Sequence, residues 1–546
     1  MKSISLFSAR PLLVLSFCGA LLAGCGGGGS TSSGGSGSST TTYDLGSITT
    51  ISSSSPYTLT NAATSMPLGV ASASQTAGAA MAQKSSTSDG DTTWHFIPMG
   101  SSEYNIENLL THQVMGISSA SKSSGAAVVQ WADNGTADHL WSFYLLSDGN
   151  YLIKNINSGL YLEVADSNTA TTATIDQSER STSSGCKCQE WTLTAGTGKV
   201  YASPRAVTGT GIYVHDPMIF QDPATHHYWL YGTHQTVAES DDLNSFTYTT
   251  LSSSEGACTT AEGGAWLTTL SYCPLIGPDF DSWSGLQTPL SYNSGKSTDV
   301  WAPSMLYNNG TYYLYYSIPY EPSTGAEAVI GLATGSTPYG PWNDQGYVVT
   351  SWTAATTNPP STNPWGFSAT TTWNAIDPAP FIDHDGNWWM VFGSWQDGTH
   401  LVQLDPTTGL RKDTTTYSIA VRSAGEEGPF IYYYNGYYYY FAPINVCCSG
   451  TSSTYRTIVG RSPTVTGPYY DRGGLKLTDG GGTILVSTHD NIYGPGGGSV
   501  FTDTGTDGSS SLPTFVYHYY DGNNNGVPKL GINRLVFDSD GWPAIE

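Results

Sequence analysis

Charge is scarce in this chain of 546 residues: Asp, Glu, Lys and Arg make up 11%, against roughly 25% in an average soluble domain. Bases are the scarcest. The 19 Lys and Arg against 43 acids leave a net charge of −24, which argues against nucleic acid or an anionic membrane surface as partner. A neutral polymer is compatible with it. The N-terminal apolar run, residues 12–22, is about half the ~20 residues of a membrane-spanning helix. None of the eight cysteines stands in a CxxC pair with histidines nearby, which excludes an ordinary zinc site. Ser, Thr, Gly, Asn and Tyr take the place of charge, a composition suited to an exported, carbohydrate-handling β protein.

Lys2 and Arg10 precede that apolar run, so residues 1–25 read as a signal peptide. Leu22-Ala23-Gly24-Cys25 resembles the bacterial lipobox, whose cysteine is acylated and becomes the mature N-terminus. Gly26 after it favours the outer membrane or cell surface as the anchoring place. An ordinary cleavage site, giving a secreted protein, is the alternative. Residues 26–42 are almost all Gly, Ser and Thr and read as a flexible tether. Cys186, Cys188, Cys258, Cys273, Cys447 and Cys448 remain as candidates for disulfides in an exported protein. Cys258 and Cys273 suit closure of a surface loop, but the pairing is open.

A threefold repeat occupies residues 43–195. Tyr57-Thr-Leu-Thr-Asn61, Tyr104-Asn-Ile-Glu-Asn108 and Tyr151-Leu-Ile-Lys-Asn155 keep one spacing, as do Gln83, Gln130 and Gln177, and Trp94, Trp141 and Trp191 close the units. Such units bury their apolar faces only against one another. With Gln189-Glu190-Trp191 as a Gln-x-Trp signature, the segment resembles the ricin-type lectin β-trefoil. In that family the tryptophans are core and an Asp with an aromatic holds sugar. Asp166 stands at the plausible position, with Ala71 and Ser118 nearby in the other units, so the resemblance implies one sugar site at most. A purely structural trefoil is the other reading. Residues 194–211 then form a linker.

Residues 205–546 carry a coarser repeat. Five aromatic strands recur, at 227–231, 311–316, 387–392, 437–441 and 515–520, and four follow a Pro-anchored apolar strand. Sustained 3.6-residue periodicity is absent, so the fold class is all-β: an N-terminal β-trefoil followed by a five-bladed β-propeller. Entries of the inner strands converge on one end of the axis, and three carry an acid: Asp216, Asp377 and Glu427. Glycoside hydrolysis with inversion needs one carboxylic acid to protonate the leaving oxygen and one carboxylate to activate water. A third carboxylate nearby raises the acid's pKa.

The ordered motifs Val214-His215-Asp216-Pro217, Asp299-Val300-Trp301-Ala302-Pro303, Asn374-Ala375-Ile376-Asp377-Pro378, Gly393-Ser394-Trp395 and Glu427-Gly428-Pro429 resemble those of family 43 glycoside hydrolases. Cys447-Cys448-Ser449-Gly450 and Val459-Gly460-Arg461-Ser462 are similar to its arabinanase branch. The resemblance implies Asp216 as general base, Glu427 as general acid, Asp377 as modulator of the acid's pKa, and Trp301 and Trp395 as sugar-stacking residues. His215 is then a neighbour that orients Asp216, and Glu426 faces away, solvated or hydrogen-bonded in its loop. Two positions depart from the family: Ser304 stands where many relatives have Asp, and Gly497-Gly498 where many have a histidine that serves a central water or calcium ion. His489 or His518 is the available substitute. No cofactor is required for the chemistry; the metal is unknown, and a structural calcium ion on the axis is an open expectation.

The implied function is inverting hydrolysis of α-1,5-L-arabinan by a monomer that touches the membrane only through a lipid at Cys25. An exo-acting α-L-arabinofuranosidase or β-xylosidase is the near alternative. A non-catalytic glycan-binding protein is the distant one.

Overall fold

A computed structural model describes residues 44–546 apart from 89, 172, 182–186, 235, 249–299, 320–327, 341 and 352–371. The signal peptide, Cys25, the 26–42 tether, Cys186, Cys258 and Cys273 lie outside the described residues. Helical structure among the described residues is confined to three-residue 3-10 turns, and all else regular is strand.

The threefold spacing has a direct physical cause. Trp94, Trp141 and Trp191 are fully buried, and each indole N–H donates to a carbonyl of its own unit, Leu68 O, Met115 O and Leu162 O, at 2.9–3.1 Å. The glutamines join the units in a cycle. Gln83 donates to Asn168 O and Ala170 O, Gln130 to Ser74 O and Thr76 O, and Gln177 to Ser121 O and Ser123 O. Each glutamine grips the turn of another unit, so none can drift from its spacing. In those turns Ser72, Ser119 and Asp166 share a left-handed φ of 55–56°. Asp166 therefore corresponds to Ser72 and Ser119, one residue later than the expected Ala71 and Ser118.

The propeller consists of five four-stranded antiparallel sheets, each from consecutive strands. The inner strands are Met218–Gln221, Trp301–Asn308, Ala379–Ile382, Phe430–Tyr434 and Ile492–Asp503. They neighbour one another in a ring in which the fifth lies against the first. Among the described residues no blade borrows a strand from the other end of the chain, and hydrogen bonds between loops and strands join the fifth blade to the first. Gln221 donates to Gly505 O and accepts from the Thr504 amide, at 2.9 and 2.8 Å. Along the axis runs a narrow channel of about 40 Å³, walled by three successive residues of each blade.

The trefoil and propeller share a core rather than a loose linker. Tyr201, in the expected linker, packs with trefoil Ile97 and Val114 and with residues of blades 4 and 5, and its hydroxyl reaches both Glu107 oxygens at 2.8 and 2.7 Å. Trefoil Asp133 pairs with Arg456 of blade 4 at 3.4 Å, their side chains 2% and 0% exposed. Burial alone would push the Asp133 carboxyl up, but Arg456, His139 and Arg422 together outweigh it and hold the group well below the usual carboxylate range. Arg456 also donates to trefoil Asn105 at 2.8 Å. Beside it, a Cβ at Gly135 would collide with Ala424 of blade 4, so only glycine permits this approach. Asp133→Asn leaves a buried guanidinium uncompensated and is expected to cost roughly 3 kcal/mol, read by denaturant unfolding.

Candidate catalytic cleft

The five inner strands enter the axis through equivalent residues, Asp216, Ala302, Asp377, Gly428 and Gly497. All five are left-handed, with φ between 43° and 60°. For Asp216, Ala302 and Asp377 that conformation is strained by Cβ. Four of the five amides are held by the preceding blade. Asp216 N–H donates to His518 Nδ1 (3.1 Å), Ala302 N–H to Thr233 Oγ1 (2.9 Å), Asp377 N–H to Ser317 Oγ (3.0 Å) and Gly428 N–H to Asp377 Oδ2 (3.0 Å). The register corrects one expectation. Glu427 is not equivalent to Asp216 and Asp377 but lies one residue earlier, and the equivalent position is Gly428.

Above the channel lies a cleft of about 390 Å³ that brings Asp216, Asp377, Glu427, Trp301 and His215 together. Asp216 Oδ2 accepts a short hydrogen bond from Thr233 Oγ1. Glu427 Oε2 accepts from Ser394 Oγ at 2.7 Å. Burial raises the Glu427 carboxyl to about 7; the Ser394 hydrogen bond opposes this and the charge of Asp216 adds to it. Asp377 is also pushed well above the usual carboxylate range, first by burial, then by Glu427 and Asp216, with the Gly428 amide pulling the other way. Asp377 and Glu427 therefore titrate as a linked pair. One carboxylic acid poised near neutrality, a second acid held by a hydroxyl and a third lining the same cleft form a set able to give and take protons at a glycosidic bond.

Glu426 does face away from the cleft, yet it is not solvated. It is 2% exposed, accepts a short hydrogen bond from Tyr440 and lies 4.0 Å from the buried Arg422 guanidinium. Trp395 occupies a different place from Trp301. It is 40% exposed, its amide donates to Glu426 O at 2.8 Å, and its side chain hydrogen-bonds Glu427. Asp166 belongs to the trefoil, is exposed, and does not line this cleft.

Of the two histidines offered as substitutes, His518 comes to the site. A Cβ on Gly497 would meet Asp216 Oδ1 at 2.5 Å and His518 Cε1 at 2.7 Å, so the glycine in the last blade makes room for a histidine from the neighbouring strand. His518 stacks on His215 with centroids 4.3 Å apart. His489 instead packs against Tyr201 of the linker. Sequence reasoning missed Thr233, Ser317 and Ser394. A signal existed: Gly232-Thr233 and Gly393-Ser394 each end an aromatic second strand, which places a hydroxyl beside the entry acids. Tyr455, Tyr520 and the Cys447–Cys448 pair also line the cleft.

The model of glycosyl hydrolases family 43 matches residues 277–543, beginning downstream of Asp216, and that of the ricin-type beta-trefoil lectin domain-like family matches 47–131 and 137–208. An extracellular endo-α-(1→5)-L-arabinanase 1 of Bacillus subtilis (strain 168) is 37% identical over 283 residues, 50% of this chain and 78% of that protein. An extracellular exo-α-(1→5)-L-arabinofuranosidase of Cellvibrio japonicus (strain Ueda107) is 30% identical over 352 residues, 61% of this chain and 86% of that one. Among solved structures, an endo-1,5-α-L-arabinanase of Thermotoga petrophila RKU-1 superposes with a TM-score of 0.50 at 25% identity, over 63% of this chain and 75% of that one. By its match to the Bacillus enzyme and its five-bladed propeller with an acid at three of the blade entries, the chain belongs to glycosyl hydrolases family 43, with a ricin-type β-trefoil lectin-like domain before the catalytic propeller.

Proposed function

We propose that the propeller cleaves internal α-1,5 linkages of L-arabinan with inversion of configuration. The observation that carries this reading is the convergence of Asp216, Asp377 and Glu427 in one cleft; the names of the relatives supply the substrate. Asp216 takes a proton from water as it attacks the anomeric carbon. The C1–O bond breaks as Glu427 delivers its proton to the leaving oxygen. Burial and the charge of Asp216 keep Glu427 protonated, and Asp377 fixes the acid loop by accepting from the Gly428 amide. Trp301 supplies an apolar face for a sugar ring inside the cleft, and Trp395 stacks sugar at its exposed rim.

The trefoil adds a second contact with polysaccharide, for which Asp166 in its exposed turn is the proposed sugar ligand. The protein is exported, as two of its relatives are by name, acts as a monomer, and is anchored through Cys25.

The axial calcium ion has one candidate set among the described residues: His215, Asp216 and His518, whose ligand atoms lie within 4.8 Å of one another. His518 Nε2 is buried with no hydrogen-bond partner, and Asp216 adds a hard oxygen, so the set fits a divalent cation that retains most of its waters. His518 would hold it through Nε2 and Asp216 through a carboxylate oxygen. When bound, the ion supplies positive charge that favours ionised Asp216.

Glu427→Ala and Asp216→Asn are each expected to lower kcat on linear arabinan by about 10³-fold or more without loss of folding. Unimpaired turnover in either variant refutes its role. Short oligomers as first products are expected, whereas arabinose alone would establish exo action. The carboxyl of Glu427 at about 7 must stay protonated, so kcat/KM is expected to fall as pH rises through that value. Ser394→Ala removes a hydrogen bond that favours the ionised form, and so shifts this alkaline limb to higher pH. A chelator is expected to lower the melting temperature, calcium to restore it, and His518→Gln to respond to neither.

A further inference from the structure

Cys447 and Cys448, neighbours in the chain, are joined by a disulfide and line the same cleft as Asp216 and Glu427. A disulfide stabilises a fold chiefly by closing a loop of the unfolded chain. This one closes no loop, so its contribution lies in the local surface it creates. That surface is a compact ring, closed through the peptide bond between the two cysteines, whose side-chain part is two sulphurs and two methylenes with no strong hydrogen-bond donor or acceptor atom. Cys448 is exposed, and its amide donates to Tyr520 Oη at 2.7 Å, which ties the ring to another cleft-lining side chain. The loop beneath is braced without the sulphurs. Thr454 N–H donates to Val446 O (2.9 Å), Val446 N–H to Thr454 Oγ1 (3.3 Å) and Ser449 N–H to Ser453 Oγ (3.0 Å). Val446, 50% exposed, continues the apolar face next to the disulfide.

We infer that the Cys447–Cys448 disulfide is a rigid sugar platform, which takes the C–H face of an arabinofuranose unit at a subsite beside the catalytic acids. The polar edge of a pentofuranose needs hydroxyls and carboxylates, but its C–H face needs apolar, polarizable surface. In this cleft the sulphurs share that work with Trp301 and Tyr455. The inference rests on the arabinanase reading. It adds that binding along the cleft depends on an oxidised pair, in keeping with an exported protein.

The test compares wild type with the Cys447→Ala/Cys448→Ala double variant on α-1,5-arabino-oligosaccharides. On these substrates KM is expected to rise about fivefold, a loss of the size expected for a small apolar contact, while kcat changes by less than about twofold. Mild reduction of folded wild type is expected to reproduce the rise, reoxidation to reverse it, and the double variant to show neither effect. An unchanged KM overturns the inference. So does a KM change that comes with a lower melting temperature and that reduction of wild type does not reproduce, because the pair would then serve the loop's structure alone. If wild type itself cleaves no arabino-oligosaccharide, the arabinanase reading has failed instead.

Discussion

The structure depends on one constraint repeated five times around an axis. Each inner strand enters the channel through a residue turned into the left-handed region, and four of the five amides are held by the blade before. For a residue with a Cβ this conformation costs on the order of 1 kcal/mol. The amide hydrogen bonds from preceding blades offset that cost, and the turn aims Asp216 and Asp377 at the axis. In the fourth blade the acceptor is Asp377 itself. One cleft acid thus sets the position of the loop that bears another, Glu427. Ring closure and the placement of the candidate acids rest on the same hydrogen bonds, including the one between the last blade's His518 and the first blade's Asp216.

The second dependence runs outward from Glu427. Immediately before it, Glu426 is buried against Tyr440 and Arg422, and Ala424 packs on trefoil Gly135. One strand away, Arg456 is locked to trefoil Asp133. The trefoil therefore supports the back of the acid loop as part of the enzyme's core. The lectin-like domain thus braces the catalytic domain.

Much of this was legible in the sequence, for reasons that differ by element. The trefoil's spacing was visible because Gln83, Gln130 and Gln177 must each reach another unit, and the aromatic strands of the propeller announce themselves by composition. The three acids and Trp301 could be assigned to one site because they sit at strand entries, where topology alone brings distant residues together. What could not be read depended on register and burial. A one-residue offset separates Glu427 from the true equivalent Gly428. The replacement of a histidine by Gly497 conceals that His518 arrives from another strand. Glu426 looked like a loop acid because nothing local reveals the Arg422 and Tyr440 side chains that enclose it. The vicinal Cys447–Cys448 bond was one of many pairings that six cysteines allow.

The account's central claim is that Asp216 activates water on one face of the sugar while Glu427 protonates the leaving oxygen on the other. Proton NMR of the first product formed from α-1,5-arabino-oligosaccharides tests it most directly. The account predicts that the new reducing end appears as the β-anomer and only later equilibrates. An α-anomer formed first would contradict it, because retention requires one of these carboxylates to attack the sugar itself.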